Sequence, residues 1–248
     1  MDGIIVIRKE KGYTSHDVVA KLRGILHMKK IGHTGTLDPD AEGVLPVALG
    51  KATKLVDLIT DKEKTYEAVM YSALKVNGKK LYELAREGKT VERKPRPVHF
   101  YQIEILEINL PLVRYRVVCS KGTYIRTLCH DMGEKLGCGA AMESLVRTKV
   151  GKFELKDAIT LAQAEEAVKS EAIQDKVLGI EEILGEYPRI CCKEEGDRLL
   201  ANGNPLPQGV VSGCEKQGWI RMCSSEGTFA GVYQWDERRF LYFPVKMF

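Results

Sequence analysis

The segment from Gly32 to Pro39 combines an acidic side chain with residues that shape a tight loop. Gly32 and Gly35 allow backbone conformations that other residues avoid, and they let a ligand approach closely. Asp38 comes directly before Pro39, which favours an extended conformation, so its carboxylate is expected to project from the loop. Such a carboxylate can act as a nucleophile or a general base. By residue types alone a turn-forming Asp-Pro is the commoner structure, so both interpretations stay open at this point.

Two other kinds of site are weakly suggested nearby. Residues 50–53 faintly resemble the end of a phosphate-binding loop, but that motif requires a glycine where Leu45 stands. Asp38, Asp40 and Glu42 are possible metal ligands or hydrolytic carboxylates. Alternate spacing in a loop does not fix two carboxylates at a working distance, however, so we expect no metal site.

A basic segment spans residues 73–98. It holds eight lysines and arginines against three glutamates, whereas the net charge of the whole chain is only +4. A local excess of positive charge on a nearly neutral body suits contact with a polyanion. A solvated charged loop explains the same composition and is the commoner case.

Composition places the chain among globular proteins of a reducing compartment. Hydrophobic residues make up 44% of 248, enough for a sizeable core. The seven cysteines include no Cys-x-x-Cys pair, which argues against a disulfide framework and a structural zinc site. No apolar run reaches the ~20 residues that cross a bilayer, and no secretory signal opens the sequence, so we expect a cytoplasmic protein with no membrane contact.

Strands and helices alternate along most of the chain, and the strand pairs look antiparallel, which predicts an α+β fold. Thr14 or Ser15 is expected to cap the first helix, and Thr160 with Gln163 forms a capping-box pattern. Residues 31–46 are expected to form a loop. The predicted strands are 3–8, 66–73, 98–108 and 113–119. One predicted helix begins at Thr14 or Ser15, and the others cover 52–59, 123–136 and 161–169.

The pattern changes near residues 186–188. Beyond that point come short strand-like pieces at 219–223, 229–235 and 240–245, separated by turn-forming pairs with glycine. We therefore predict two domains: residues 1–186, which contain the basic insertion 73–98, and a small β-rich domain at 187–248.

The segment around Asp38 resembles the catalytic motif of the bacterial tRNA pseudouridine-55 synthase (TruB) family. The resemblance covers roughly residues 3–185, and its motifs come in family order. One departure is Glu10, which stands where the family often has proline. The motifs are residues 11–17, 32–54, 64–68, 72–88 with 93–97, 119–128 and 145–148.

The resemblance implies a pseudouridine synthase-like core, with a mixed, mostly antiparallel sheet and flanking helices, and a PUA-like C-terminal domain. It also implies an isomerase that turns uridine into pseudouridine without a cofactor or a metal. Asp38 would be the catalytic carboxylate, Arg147 the cation paired with it, and Tyr66 the aromatic partner of the uracil.

The implied substrate is the TΨC stem-loop of tRNA, and the implied enzyme is a monomer. The target base would be flipped out of its stack. His33 would help to hold that base out, and several basic residues would contact RNA. The predicted basic contacts are Lys64, Lys79, Lys80, Arg86, Arg93, Lys94 and Lys121.

Two alternatives stay open. A non-catalytic RNA-binding or tRNA-folding protein would share the basic insertion and the β-rich tail but would not need Asp38. A pseudouridine synthase that acts on another RNA would share the active-site motifs.

Overall fold

A computed structural model of the protein describes residues 1–72 and 97–248. The chain forms two compact units. The larger unit comprises residues 5–48 and 55–176, and the smaller comprises residues 1–4, 49–54 and 177–248. The smaller unit thus begins its long segment at Val177, earlier in the chain than the boundary near residue 187 that the sequence pattern suggests.

The helices and strands follow one another as β1 (Gly3–Lys9), α1 (Ser15–Ile25), β2 (Ile31–His33), β3 (Glu42–Leu49), α2 (Val56–Asp61), β4 (Lys64–Ser72), β5 (Phe100–Asn109), β6 (Leu112–Cys119), α3 (Ile125–Lys135), β7 (Ala140–Val150), β8 (Phe153–Glu154), α4 (Leu161–Lys169), β9 (Val177–Gly179), α5 (Ile180–Ile183), β10 (Arg189–Cys191), α6 (Glu194–Ala201), β11 (Leu206–Pro207), β12 (Trp219–Cys223), β13 (Phe229–Asp236) and β14 (Leu241–Met247). None of these described helices is long and apolar enough to cross a membrane.

The sheet of the larger unit has the strand order β5-β6-β4-β7-β3-β1. The pairs β5–β6, β6–β4 and β4–β7 are antiparallel, whereas β7 and β3 are parallel. On β6 the residues Val113, Tyr115, Val117 and Cys119 are buried, as their alternation predicts for a half-buried strand. The predicted α+β class with a mixed, mostly antiparallel sheet is confirmed.

Helix ends follow local capping rules. Thr14 caps α1, and its hydroxyl accepts the amide of Asp17. Thr160 caps α4 in the same way, with Gln163 completing the predicted box. Helix α3 buries Ile125 and other apolar residues in the core that it shares with the central strands.

Residues 31–46 are not one loop, contrary to the prediction. A short strand, β2, and the buried strand β3 flank a loop of residues 34–41. Gly43 explains how β3 approaches β7. Its φ is +111°, and a Cβ at this position would lie 2.2 Å from the carbonyl oxygen of Arg147. Only glycine fits that approach, and the glycine that seemed to mark a loop belongs to a strand.

The smaller unit contains a five-stranded sheet of order β10-β12-β13-β14-β11. Strand β10 is parallel to β12, and the other pairs are antiparallel. Leu206, Ile220, Tyr233 and Tyr242 are fully buried in its core. A small β-rich unit is thus present, and its likeness to a PUA domain stays a prediction.

Candidate active site

The loop of residues 34–41, here called the Asp38 loop, is held mainly through its backbone. The hydroxyl and the amide of Thr34 both donate to the carbonyl of Pro46, at 3.1 Å. The amide of Leu37 donates to the buried hydroxyl of Ser15 at 2.9 Å. The carbonyl of Pro39 accepts the amide of Gly12 at 2.9 Å. These bonds fix the path of the chain on both sides of Asp38.

Lys9 binds the same loop from the interior. Its side chain is 0% exposed, and its ammonium donates to the carbonyls of Tyr13 (2.6 Å), Glu10 (3.0 Å) and Pro39 (3.1 Å). Burial lowers the pKa of Lys9, and the nearby carboxylates, Glu42 first, oppose that shift. A buried lysine is costly unless its donors are satisfied, and here three carbonyls satisfy them.

Arg147 holds the first half of the loop. It is 1% exposed, and its Nε donates to the carbonyl of Val44 at 2.8 Å. Its Nη2 and Nη1 donate to the carbonyls of Gly35 and Thr36, at 3.2 and 3.4 Å. The guanidinium therefore ties β7 to the loop, and burial lowers the pKa of Arg147.

Tyr66 is buried on β4, with Arg147 as its partner on the neighbouring strand. The positive charge of Arg147 acts on the Tyr66 hydroxyl. Burial raises the pKa of Tyr66, and Arg147 only partly opposes that effect. The hydroxyl is therefore protonated at neutral pH and can serve as a proton donor.

The carboxylate of Asp38 is free of these backbone contacts. Its side chain is 39% exposed, and its Oδ2 lies 2.9 Å from Nη2 of Arg126, on the first turn of α3. In the described part of the chain its ion-pair partner is thus Arg126, not Arg147 as expected from the resemblance. Arg147 instead directs its three nitrogens at the backbone carbonyls of Val44, Thr36 and Gly35.

His33 ends β2 at the start of the loop. Its Nδ1 accepts the amide of Gly35 at 3.4 Å, and its ring meets that of His16 edge-on, with centroids 5.0 Å apart. Burial lowers the pKa of His33, and His16 and Arg147 add to the effect. The ring is therefore favoured as a neutral imidazole beside the loop.

The predicted RNA-contacting lysines have different surroundings. Lys64 is only 5% exposed, and its ammonium donates to the carbonyls of Thr60 and Lys62, so it does not present its charge to a phosphate. Lys121 is exposed and pairs with Asp61 at 2.5 Å. The remaining ones, Lys79, Lys80, Arg86, Arg93 and Lys94, lie outside the described residues.

Three residues that contribute to the site are not predicted from residue types alone: Lys9, Ser15 and Arg126. Ser15 and Arg126 lie inside motifs that carry the family resemblance, which is the signal that could have identified them. Lys9 sits next to such a motif, but nothing local shows that its ammonium would be buried.

The arrangement suits chemistry at one carboxylate. The hydrogen-bonded backbone holds Asp38 in one position, and the guanidinium of Arg126 lies next to its carboxylate. Across residues 1–72 and 97–248, no cluster of three or more His, Cys, Asp or Glu could hold a metal ion.

Comparison with known proteins decides the family. A model of the TruB family pseudouridylate synthase N-terminal domain matches residues 23–70 and 67–125. A model of the tRNA pseudouridylate synthase B C-terminal domain matches residues 126–185. A protein of Lachnoclostridium phytofermentans named tRNA pseudouridine synthase B is 46% identical, with all of both chains covered. The chain belongs to the TruB family of pseudouridine synthases.

A second relative supports the same family assignment. A Clostridium acetobutylicum protein of the same name is 41% identical over 97% of this chain and 98% of its own. The predicted family is confirmed, and because pseudouridine synthases are isomerases, this TruB protein is an enzyme of that class.

Solved structures share the TruB fold. A chain of an H/ACA ribonucleoprotein bound to a substrate RNA containing 2′-deoxyuridine is 29% identical, with a TM-score of 0.79 over 99% of this chain and 84% of that one. A chain of an archaeal box H/ACA Nop10–Cbf5 complex is 30% identical, with a TM-score of 0.75 over 99% and 85%.

Proposed function

We propose that this protein converts uridine 55 in the TΨC arm of tRNA into pseudouridine. The relatives named tRNA pseudouridine synthase B support tRNA as the substrate. The observation that carries the proposal is the Asp38 loop, whose backbone is bound by Arg147, Lys9 and Ser15 while the carboxylate stays accessible.

The reaction is an internal rearrangement. The glycosidic bond to N1 breaks, the uracil turns, and its C5 forms a bond to the same ribose carbon. C5 gives up its proton, and N1 takes one up. No group is gained and no redox change occurs, so the reaction requires no cofactor. Asp38 acts where the sugar meets the base, as a nucleophile or as the base that starts the rearrangement.

Tyr66 and Arg147 serve the same site in different ways. The protonated hydroxyl of Tyr66 supports proton transfer, and its ring forms a wall against which the uracil packs. Arg147 acts on the reaction indirectly, because it binds the carbonyls of Gly35 and Thr36 rather than the carboxylate of Asp38.

The uridine must leave its stack to reach Asp38, which costs a few kcal/mol. His33 packs against the RNA and helps to hold the target base out, since its ring lies beside Gly35 at the start of the loop. Phosphate contacts by the basic segment 73–98 offset the cost of extrusion, so binding should weaken as salt is added. We further propose that the enzyme acts as a monomer in the cytoplasm, where its tRNA substrate is found.

Asp38→Asn tests the proposal. The variant keeps the size of the side chain but removes its charge, so an unmodified TΨC stem-loop should bind with unchanged affinity while product falls below detection. Asp40→Asn is the matched control, because Asp40 is an exposed aspartate of the same loop. It should retain full activity. Pseudouridine is measured by release of tritium from uridine labelled at C5.

Each alternative predicts a different result. Turnover by Asp38→Asn at the wild-type rate would contradict the catalytic role of Asp38. Binding of the stem-loop by the wild-type protein without product would favour the non-catalytic RNA-binding protein. Product formed in ribosomal RNA fragments but not in tRNA would favour a synthase with another substrate.

A further inference from the structure

Two cysteines of the smaller unit face each other across neighbouring strands. Cys191 on β10 and Cys223 on β12 are register partners in the parallel pair that these strands form, and both are free thiols. Neighbouring strands lie about 4.8 Å apart, and disulfide-bonded cysteines have Cα atoms about 4.4–6.8 Å apart. The register therefore places Cys191 and Cys223 where a disulfide can join them without moving the backbone.

The side chains of this pair lie on the same face of the sheet. Side chains alternate between the two faces along a strand, and register partners share a face. Ile190 and Met222, which precede the two cysteines on their strands, belong to the hydrophobic core of the unit. Cys191 and Cys223 therefore lie on the face away from that core. Cys192 is a core residue, so it lies on the opposite face from Cys223.

Arg189 places a positive charge beside Cys191. Its Nη1 donates to the sulfur of Cys191 at 3.8 Å. Its Nε and Nη2 donate to the carboxylate of Glu181 and the carbonyl of Gly227, at 2.9 and 2.6 Å, which holds the guanidinium in place. Cys191 is half-buried, so a small molecule can reach it. A cation next to an accessible cysteine stabilises the thiolate, which is the form that reacts with oxidants.

Cys223 is the protected member of the pair. It is 0% exposed, and burial raises the pKa of its thiol to about 11, while Arg189 opposes that rise. Cys191 adds to the rise, as expected for a sulfur close by. Cys223 therefore keeps its proton at neutral pH and is shielded from oxidants in solution. A buried thiol of this kind reacts with a neighbour in the fold rather than with solvent.

We propose that Cys191 and Cys223 form an oxidative modification site, at which a hydroperoxide produces a reversible disulfide between β10 and β12. An oxidant from solvent meets Cys191 first, because Cys191 is the accessible thiol with a cation beside it. Cys223 then traps the oxidised sulfur before it is oxidised further. The modification is separate from the proposed reaction at Asp38.

The chemistry takes place in two steps. The Cys191 thiolate attacks hydrogen peroxide, and the O–O bond breaks. The sulfur is oxidised to a sulfenic acid, and the other oxygen leaves, takes up a proton and becomes water. Cys223 then attacks this sulfur: the S–S bond forms, the S–O bond breaks, and the hydroxyl leaves as water with the proton of Cys223. Thiol reductants return both cysteines to thiols, so the bond is transient in a reducing compartment.

Peptide mapping of the full chain tests the disulfide. The protein is treated with hydrogen peroxide, its remaining thiols are alkylated, and a tryptic digest is analysed by mass spectrometry without reduction. Trypsin releases residues 190–193 and 222–238, which contain the two cysteines. Cys191→Ser and Cys223→Ala each remove one partner. Cys214→Ser is the matched control, because Cys214 is an exposed cysteine of the same unit.

Peroxide should link the two peptides in the wild-type protein and in Cys214→Ser, and dithiothreitol should separate them. The link should be absent from Cys191→Ser, since Cys192 in the same peptide lies on the other face. Cys223→Ala lacks the second thiol, so the sulfenic acid of Cys191 should persist and its labelling by dimedone should rise several-fold over the wild type. If Cys223→Ala does not fold, the wild-type protein and Cys191→Ser decide the matter between them.

Three results would overturn the assignment. Alkylation of both cysteines in the peroxide-treated wild-type protein would show that no bond forms. A link that survives in Cys191→Ser would assign the reaction to Cys192. A link between two molecules, seen as a dimer on a non-reducing gel, would show that the pair is not joined within one chain.

Discussion

Two turns of this protein each contain an aspartate, and they use it in opposite ways. In the turn after β13, the carboxylate of Asp236 accepts the amides of Arg238 and Arg239, at 2.9 and 3.1 Å, and so shapes its own turn. In the Asp38 loop the backbone is held by other side chains, and among the described residues the carboxylate pairs with a surface arginine, Arg126. An aspartate becomes available for chemistry when its turn does not depend on it.

Loss of Arg147 should have the largest effect. Arg147→Met leaves the carbonyls of Val44, Gly35 and Thr36 without their donor inside the protein, and each such group costs about 1–3 kcal/mol. We expect the free energy of unfolding to fall by several kcal/mol in urea denaturation. Arg147→Lys keeps the charge but cannot reach three carbonyls, so it should fold and lose more than ~100-fold in kcat through a misplaced loop. Wild-type kcat in Arg147→Lys would contradict the indirect role.

Lys64 offers an intermediate effect that depends on pH. Burial, assisted by Arg147, lowers its pKa to about 8, against 10.5 in the unfolded chain. Between these values the unfolded chain holds a proton that the folded protein lacks, so raising the pH stabilises the fold. The wild-type free energy of unfolding should therefore rise by up to about 3 kcal/mol relative to Lys64→Met between pH 8 and 10.5. Parallel stability curves for the two proteins would show that the pKa of Lys64 is the same in the folded and unfolded chain, which contradicts the lowered value.

Asp236→Ala should have the smallest effect. The amides of Arg238 and Arg239 lose their acceptor but can turn to water, so the free energy of unfolding should fall by about 1 kcal/mol. Pseudouridine formation should stay at the wild-type rate. A fall in turnover as large as that of Asp38→Asn would show that the two aspartates do not differ as we describe.

Local signals in the sequence predict the elements that depend on local contacts. The boxes at Thr14 and Thr160 and the alternation along β6 correspond to observed structure because they involve residues a few positions apart. No such signal marks β7, whose charged residues interrupt its pattern. It becomes a strand by pairing with β4 on one side and β3 on the other.

Prediction of the candidate site from the sequence is limited in the same way, because its contacts join residues that are far apart in the chain. Motif resemblance identifies Asp38, Tyr66 and Arg147 as members of one site, and the pairing of Tyr66 with Arg147 across β4 and β7 brings two of them together. It does not reveal which atoms meet. Arg147 binds carbonyls and Arg126 binds the carboxylate, because burial of β7 and exposure of α3 are set by tertiary packing.

Hydrogen exchange at the Asp38 loop tests the central claim most directly. The amides of Thr34 and Leu37 donate to Pro46 and Ser15, independently of the Asp38 carboxylate. In Asp38→Asn their protection should match that of the wild-type protein while no pseudouridine forms. Faster exchange of these amides in Asp38→Asn would mean that the carboxylate shapes its own turn, as Asp236 does, and would contradict the account.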